Sequence, residues 1–291
     1  MLLSLLHAAL LLVTSADEKP ARYPRAELLI EAAELAKPET AKQFRILDAR
    51  GRSKYLEGHI PGAVHVDPLV WAKAFAAGQD PETWSRRIGE LGIDRDTRVV
   101  VYDEESFRDA ARIWWILRYW GIKDVRLLNG GWSAWQQSGG PVARDETKVQ
   151  PTKPTLTAQS GRLATKEQML AGVKDKNLQI LDVRSYQEYC GETVTAKRSG
   201  AIPGAIHLEW IEAVDPRTKR FKNPEELARL FRQAGIDLNR PTATYCQSGG
   251  RAAVSAFVLE LMGANDVRNY YRSWAEWGNA DDTPIVKPPK K

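Results

Sequence analysis

Short apolar runs alternate with amphipathic stretches along most of this chain. The runs 45–49, Val99–Tyr102 and Val125–Leu128 are rich in Val, Leu and Ile, the composition of strands buried on both faces. Between them, 81–91 and 110–119 space their apolar residues at helical intervals. Repeated strand–helix units predict an α/β fold with a parallel sheet covered on both faces. Farther on, 241–245 reads as a strand and 252–262 as a helix, with Val254, Phe257, Val258 and Leu261 on one face.

The pattern occurs twice. Ile60-Pro-Gly-Ala-Val-His65 returns as Ile202-Pro-Gly-Ala-Ile-His207, an offset of 142. At the same offset Gly121, Asp124, Val125, Arg126, Trp132 and Trp135 meet Gly263, Asp266, Val267, Arg268, Trp274 and Trp277. Gly92-Ile-Asp94 and Tyr102 match Gly235-Ile-Asp237 and Tyr245 one residue farther along. Ile46-Leu-Asp48 matches Ile180-Leu-Asp182 at 134, so the second copy carries an insertion of eight residues before its Ile-Pro-Gly. Matches that stay in register over so long a span mark a duplicated domain. We place the copies at 22–140 and 162–285, with a Pro- and Thr-containing linker at 141–161. Asp48, Asp182, His65 and His207 recur in both copies and are read as structural.

One stretch does not recur. In the second copy the strand at 241–245 runs into Cys246-Gln-Ser-Gly-Gly-Arg251, and the helix begins directly after. A thiol there sits among helix-start N–H groups that lack intrahelical partners, and the helix dipole favours an anion. Gly249 and Gly250 let the backbone curl so that several amides converge. Cys246 is therefore the expected nucleophile, and Gln247, Ser248, Gly249, Gly250 and Arg251 the loop that holds an anion attached to it. The first copy has Asp103 after Tyr102, and its loop to Asp109 is one residue longer. That copy is expected to be catalytically silent.

Composition narrows the chemistry. The net charge of +5 is scattered rather than blocked, which disfavours nucleic acid and is compatible with a small anionic substrate. Two cysteines, Cys190 and Cys246, are too few for a disulfide scaffold, although in an oxidising compartment they could pair. Four histidines and no Cys-x-x-Cys give no metal site, and the chemistry requires no cofactor. The run 1–16 is apolar and ends in small residues, the pattern of a signal peptide, so export to the periplasm or beyond is expected. It is too short to span a bilayer comfortably, and no later segment suits a membrane span.

The Ile-Pro-Gly-Ala turn, Leu-Leu-Asn-Gly-Gly-Trp at 127–132 and Cys-Gln-Ser-Gly-Gly-Arg at 246–251 together resemble tandem rhodanese-like sulfurtransferases acting on thiosulfate or 3-mercaptopyruvate. The resemblance covers nearly the whole chain after residue 22. It implies a silent first domain and a Cys246 persulfide, formed from a small anionic sulfur donor and discharged to cyanide, a thiol or a protein acceptor. It also implies that Arg184 binds the donor's anionic group, that Arg198 in the insertion is a second such arginine, and that His59 with Ser248 forms a proton relay. Arg251 lies five positions after Cys246, one fewer than in cysteine-dependent phosphatases, so the loop suits a single sulfur rather than a phosphoryl group. Gln247-Ser248 matches neither donor's usual pattern; the exported setting favours thiosulfate, with 3-mercaptopyruvate or a non-turnover carrier as alternatives.

Overall fold

The structure is a computed structural model, and it describes residues 22–104 and 106–290. The expected leader at 1–16 lies outside the described residues. The N-terminal half forms one parallel sheet from β1 (Leu29–Ile30), β2 (Arg45–Asp48), β3 (Val64–His65), β4 (Val99–Tyr102) and β5 (Val125–Leu128), ordered β1-β5-β4-β2-β3. The C-terminal half repeats it with β6 (Gln179–Asp182), β7 (Ile206–His207), β8 (Thr242–Tyr245) and β9 (Val267–Asn269), ordered β7-β6-β8-β9. The counterpart of β1 shrinks to a single parallel bridge, Leu163 to Asn269. The expected α/β fold of two tandem domains is what forms.

Six helices of nine or more residues stand among the described residues: α1 (Pro68–Ala77), α2 (Pro81–Gly89), α3 (Arg108–Tyr119), α4 (Lys166–Asp175), α5 (Pro224–Ala234) and α6 (Gly250–Leu261). Their starts follow from local chemistry. Asp67, Asp80 and Asn223 each cap a helix whose first residue is proline, and Thr165 with Gln168 makes a capping box on α4. The helices α3 and α6 begin differently, from Phe107 and Gly249 in left-handed conformation, and both follow the central strand of their sheet.

These two helices face each other between the sheets. Trp114 meets Phe257 edge-on at 4.9 Å, and Phe221 stacks between Phe107 and Phe257 at 3.9 and 5.3 Å. One apolar core thus runs from Leu47 and Trp115 in the first domain to Val183 and Phe257 in the second. The segment 141–161 is not a free tether. The Thr152 amide donates to the Gly89 carbonyl, the Ser85 hydroxyl to that of Pro154, and the Gln159 amide to that of Tyr119. It is strapped along the N-terminal domain, and the domains dock directly. No helix among the described residues is long and apolar enough to cross a membrane.

Candidate active site

Register decides where the chemistry sits. Asp182 pairs with Tyr245 at the carboxyl ends of β6 and β8, and Cys246 is the next residue, at the edge where open parallel sheets place ligands. Its side chain is 1% exposed. The loop that follows is held from outside by its carbonyls. Trp274 and Ala275 amides donate to the Cys246 and Gln247 oxygens at 3.0 Å each. The Arg112 guanidinium donates to the Ser248 oxygen at 2.9 Å, and the Asn269 side-chain amide to the Gly249 oxygen at 3.0 Å. In a trans peptide the carbonyl and the next N–H point in opposite directions. Four carbonyls pulled outward therefore turn the amides of Gln247, Ser248, Gly249 and Gly250 inward. Among the described residues these amides, with that of Arg251, donate to no protein acceptor. Together they form an anion nest at a helix start.

Gly249 and Gly250 are needed for two reasons. Gly249 has φ of +81°, and a Cβ on it would come within 2.8 Å of Tyr271. A Cβ on Gly250 would meet the Arg112 guanidinium. Arg251 opens α6 and forms a fork with Glu188, Nη1 to Oε2 at 2.6 Å and Nη2 to Oε1 at 2.9 Å. Burial works against both charges. The pairing outweighs it, lifting the Arg251 pKa, with Cys246 adding to the rise, and lowering that of Glu188.

The silent copy shows what such a nest wants. There the Asp103 carboxylate accepts the amides of Phe107, Asp109 and Ala110 at 3.0, 3.0 and 3.1 Å. Trp132 and Ser133 amides hold the Asp103 and Glu104 carbonyls outward, as Trp274 and Ala275 do in the second copy. Burial pushes the Asp103 carboxyl up to about 6 despite those amides.

Three expected residues are committed to other partners in this structure. Arg184, 1% exposed, forks onto Asp182, reaches the Gly200 carbonyl at 2.7 Å and lies 4.3 Å over Trp274. Arg50 does the same with Asp48, Gly58 and Trp132. The guanidinium expected to grip the donor is thus half of a duplicated brace, completed by Tyr245 and Tyr102 hydroxyls on the two aspartates. Arg198 is also committed: it donates to the carbonyls of Thr283, Trp277 and Ala280 and pins the C-terminal segment. His59 is fully buried in the N-terminal domain, stacked on Tyr55 at 3.9 Å, with Nδ1 on the Tyr55 carbonyl at 2.8 Å. Its contacts among the described residues are to Tyr55 and, through the backbone, Ala143, and none of them reaches Ser248. His65 and His207 bond the Arg50 and Arg184 carbonyls in parallel fashion. Cys190 and Cys246 are both free and buried.

Two features went unread in the sequence. The insertion folds back on the loop through Thr195, which exchanges hydrogen bonds with the Gln247 side chain at 2.7 and 3.1 Å. Arg112 comes from the other domain; its signal was a single charge in the apolar run 110–117.

Fold and site together define a tandem α/β protein in which one of two matching nests carries a cysteine. The sequence matches the rhodanese-like domain over residues 31–138 and 165–280. It is 34% identical to a thiosulfate sulfurtransferase of Azotobacter vinelandii, covering 89% of this chain and 96% of the relative. It is 36% identical to the sulfur carrier protein TtuD of Thermus thermophilus, covering 80% and 87%. Among solved structures, an anaerobic ergothioneine biosynthesis enzyme from Chlorobium limicola superposes with a TM-score of 0.84 at 26% identity, over 93% of this chain and 72% of that one. The chain belongs to the rhodanese-like family, and sulfur transfer is the chemistry of its relatives.

Proposed function

We propose that the protein transfers sulfane sulfur from thiosulfate through a persulfide on Cys246. The Cys246 thiolate attacks the outer sulfur, the S–S bond of thiosulfate breaks, and sulfite leaves with the bonding electron pair. The persulfide anion is held by the amides of 247–251 as an oxyanion is held in acyl transfer. Cyanide or a thiol then attacks the outer sulfur and returns the Cys246 thiolate. The observation that carries this reading is the loop of amides behind Cys246, which have no protein acceptor among the described residues while their counterparts in the first domain close on a carboxylate. Arg251 adds a positive charge beside the same sulfur.

A second reading, delivery of the sulfur to a partner protein, is supported by the similarity to the Thermus carrier. One assay separates the readings: thiocyanate formation from cyanide, with thiosulfate and 3-mercaptopyruvate offered in parallel and Cys246→Ser as control. Turnover that requires Cys246 and prefers thiosulfate is expected. Preference for 3-mercaptopyruvate would reassign the donor. A persulfide on Cys246 without turnover would favour the carrier, and no persulfide would overturn both.

A further inference from the structure

Of the four groups that hold the loop carbonyls outward, three belong to the C-terminal domain itself. The fourth is Arg112, on α3 of the other domain. We infer that Arg112 is a positioning residue for the nest around Cys246, so that the domain without a nucleophile completes the active loop. The inference rests on the reading of Cys246 as the sulfur-bearing residue.

The geometry is specific. One nitrogen of Arg112, Nη1, serves both the Ser248 carbonyl at 2.9 Å and the Tyr271 hydroxyl at 3.0 Å. Fixing the Ser248 carbonyl fixes the peptide that follows, and with it the direction of the Gly249 N–H. Tyr271 presses on Gly249, and is itself stacked on Trp115 at 5.3 Å and packed on Phe75 at 4.7 Å, both in the N-terminal domain. The other side of the guanidinium fills the space where Gly250 lacks a Cβ. The loop is thus latched at three successive residues by the domain interface.

Electrostatics points the same way. Arg112 is 6% exposed, yet among the described residues no carboxylate lies within ion-pair distance of it. A buried guanidinium without a counter-charge is costly. The anion that the neighbouring loop is shaped to hold, on Cys246, would supply one. The duplication supports this assignment: the residue equivalent to Arg112 on α6 is Val254, whose side chain has no N–H to donate to a carbonyl of the first nest.

The test uses the full chain. Arg112 lines an open cleft of about 680 Å³ between α1 and the segment 271–280, so a small cation can enter when the side chain is cut back. Arg112→Ala, Arg112→Lys and, as a control for loosened docking, Phe257→Leu would be compared by thermal unfolding. Two rates would be read: single-turnover persulfide formation from thiosulfate, and Cys246 alkylation by iodoacetamide followed by mass spectrometry. Both should fall about tenfold in Arg112→Ala, less than the 10²–10³ typical of removing a direct oxyanion donor. The KM should move less than threefold. Low guanidinium chloride should restore both rates in Arg112→Ala, with sodium chloride at equal ionic strength giving no recovery, and Arg112→Lys should recover less. Phe257→Leu should lose thermal stability but neither rate. A folded Arg112→Ala within twofold of wild type in both rates, absence of guanidinium rescue, or equal losses in Phe257→Leu would overturn the inference. Alkylation needs no donor, so a failure of the thiosulfate reading alone would leave this test intact.

Discussion

In the N-terminal half the amides of Phe107, Asp109 and Ala110 close on the Asp103 carboxylate; in the C-terminal half the equivalent amides of Gly249, Arg251 and Ala252 follow Cys246 and have no protein acceptor among the described residues. The frame around the two loops is the same: an aspartate–arginine fork, a tyrosine hydroxyl on the aspartate, and two outer amide anchors. The occupant and the charge beside it differ, as do the loop length, one residue greater in the first half, and the Arg112 contact, made only to the second. The first half holds a carboxyl group with Asp109 next to it, whereas the other half offers a thiol with Arg251 at the matching position. Exchanging the cysteine of such a nest for a carboxylate therefore takes no unfolding of it: the carboxylate occupies the amides, and the architecture survives.

The sharpest way to break this comparison is to move the occupant. Cys246→Asp is expected to abolish sulfur transfer, by at least about 10³-fold, because the nucleophile is gone. It should nevertheless unfold at a higher temperature than Cys246→Ser, since a carboxylate that satisfies several amides contributes about 1–3 kcal/mol. Thermal unfolding and the thiocyanate assay check both halves of the statement. Equal melting temperatures would mean that the second nest is not an anion site.

A smaller effect is expected at Arg251. Arg251→Ala should lower the rate of persulfide formation by about 10- to 100-fold, no more than the lower end of what losing a direct oxyanion donor costs. Part of that loss comes from Glu188, left without its ion-pair partner at the site of the arginine. The double variant Arg251→Ala/Glu188→Gln should therefore recover some activity, and a double-mutant cycle from single-turnover rates gives the coupling. A double variant no better than Arg251→Ala would show that Glu188 exerts no repulsion.

The silent nest offers a pH signature of its own. Burial holds the Asp103 carboxyl at about 6, above the roughly 4 of an unfolded aspartate. The folded chain then binds the proton more tightly than the unfolded chain. The stability this confers is present below about pH 4 and is lost as pH rises to about 6. Asp103→Asn removes that slope. The stability difference between wild type and variant should move in the variant's favour from pH 4 to 6 and level off above, as read by urea unfolding at several pH values. A flat difference would mean that the three amides fully offset burial.

The comparison also shows which facts a sequence displays. The duplication, the strand and helix alternation, the glycine loop and the odd residue at Cys246 were legible because each leaves a periodic or positional trace. The roles of Arg184 and Arg198 were not, since a motif fixes where an arginine sits in the chain but not which oxygens its fork meets. Arg184 could have been doubted from the sequence, because Arg50 occupies the same place in the silent copy. The reach of Arg112 across to Ser248 was hidden for another reason: it depends on how two domains dock. The same holds for Thr195, whose insertion has no counterpart in the first half against which to read it.

The smallest effect is expected at His59, where the halves differ for a reason unrelated to sulfur. His59 and Ala201 are equivalent, and each forms an isolated antiparallel bridge, with Ala143 and Val286 respectively. The backbone role is shared, and the imidazole is an addition peculiar to the first domain. Its Nδ1 faces a carbonyl and donates to it, and its buried Nε2 has no hydrogen-bond partner among the described residues. A relay needs a proton path at both nitrogens, and neither leads out of this domain. His59→Ala should accordingly cost about 1–2 kcal/mol through the lost stack on Tyr55, with the transfer rate within twofold of wild type and an unchanged pH profile. An altered pH profile in a stably folded variant would restore the proton relay and require a route from the first domain to Cys246.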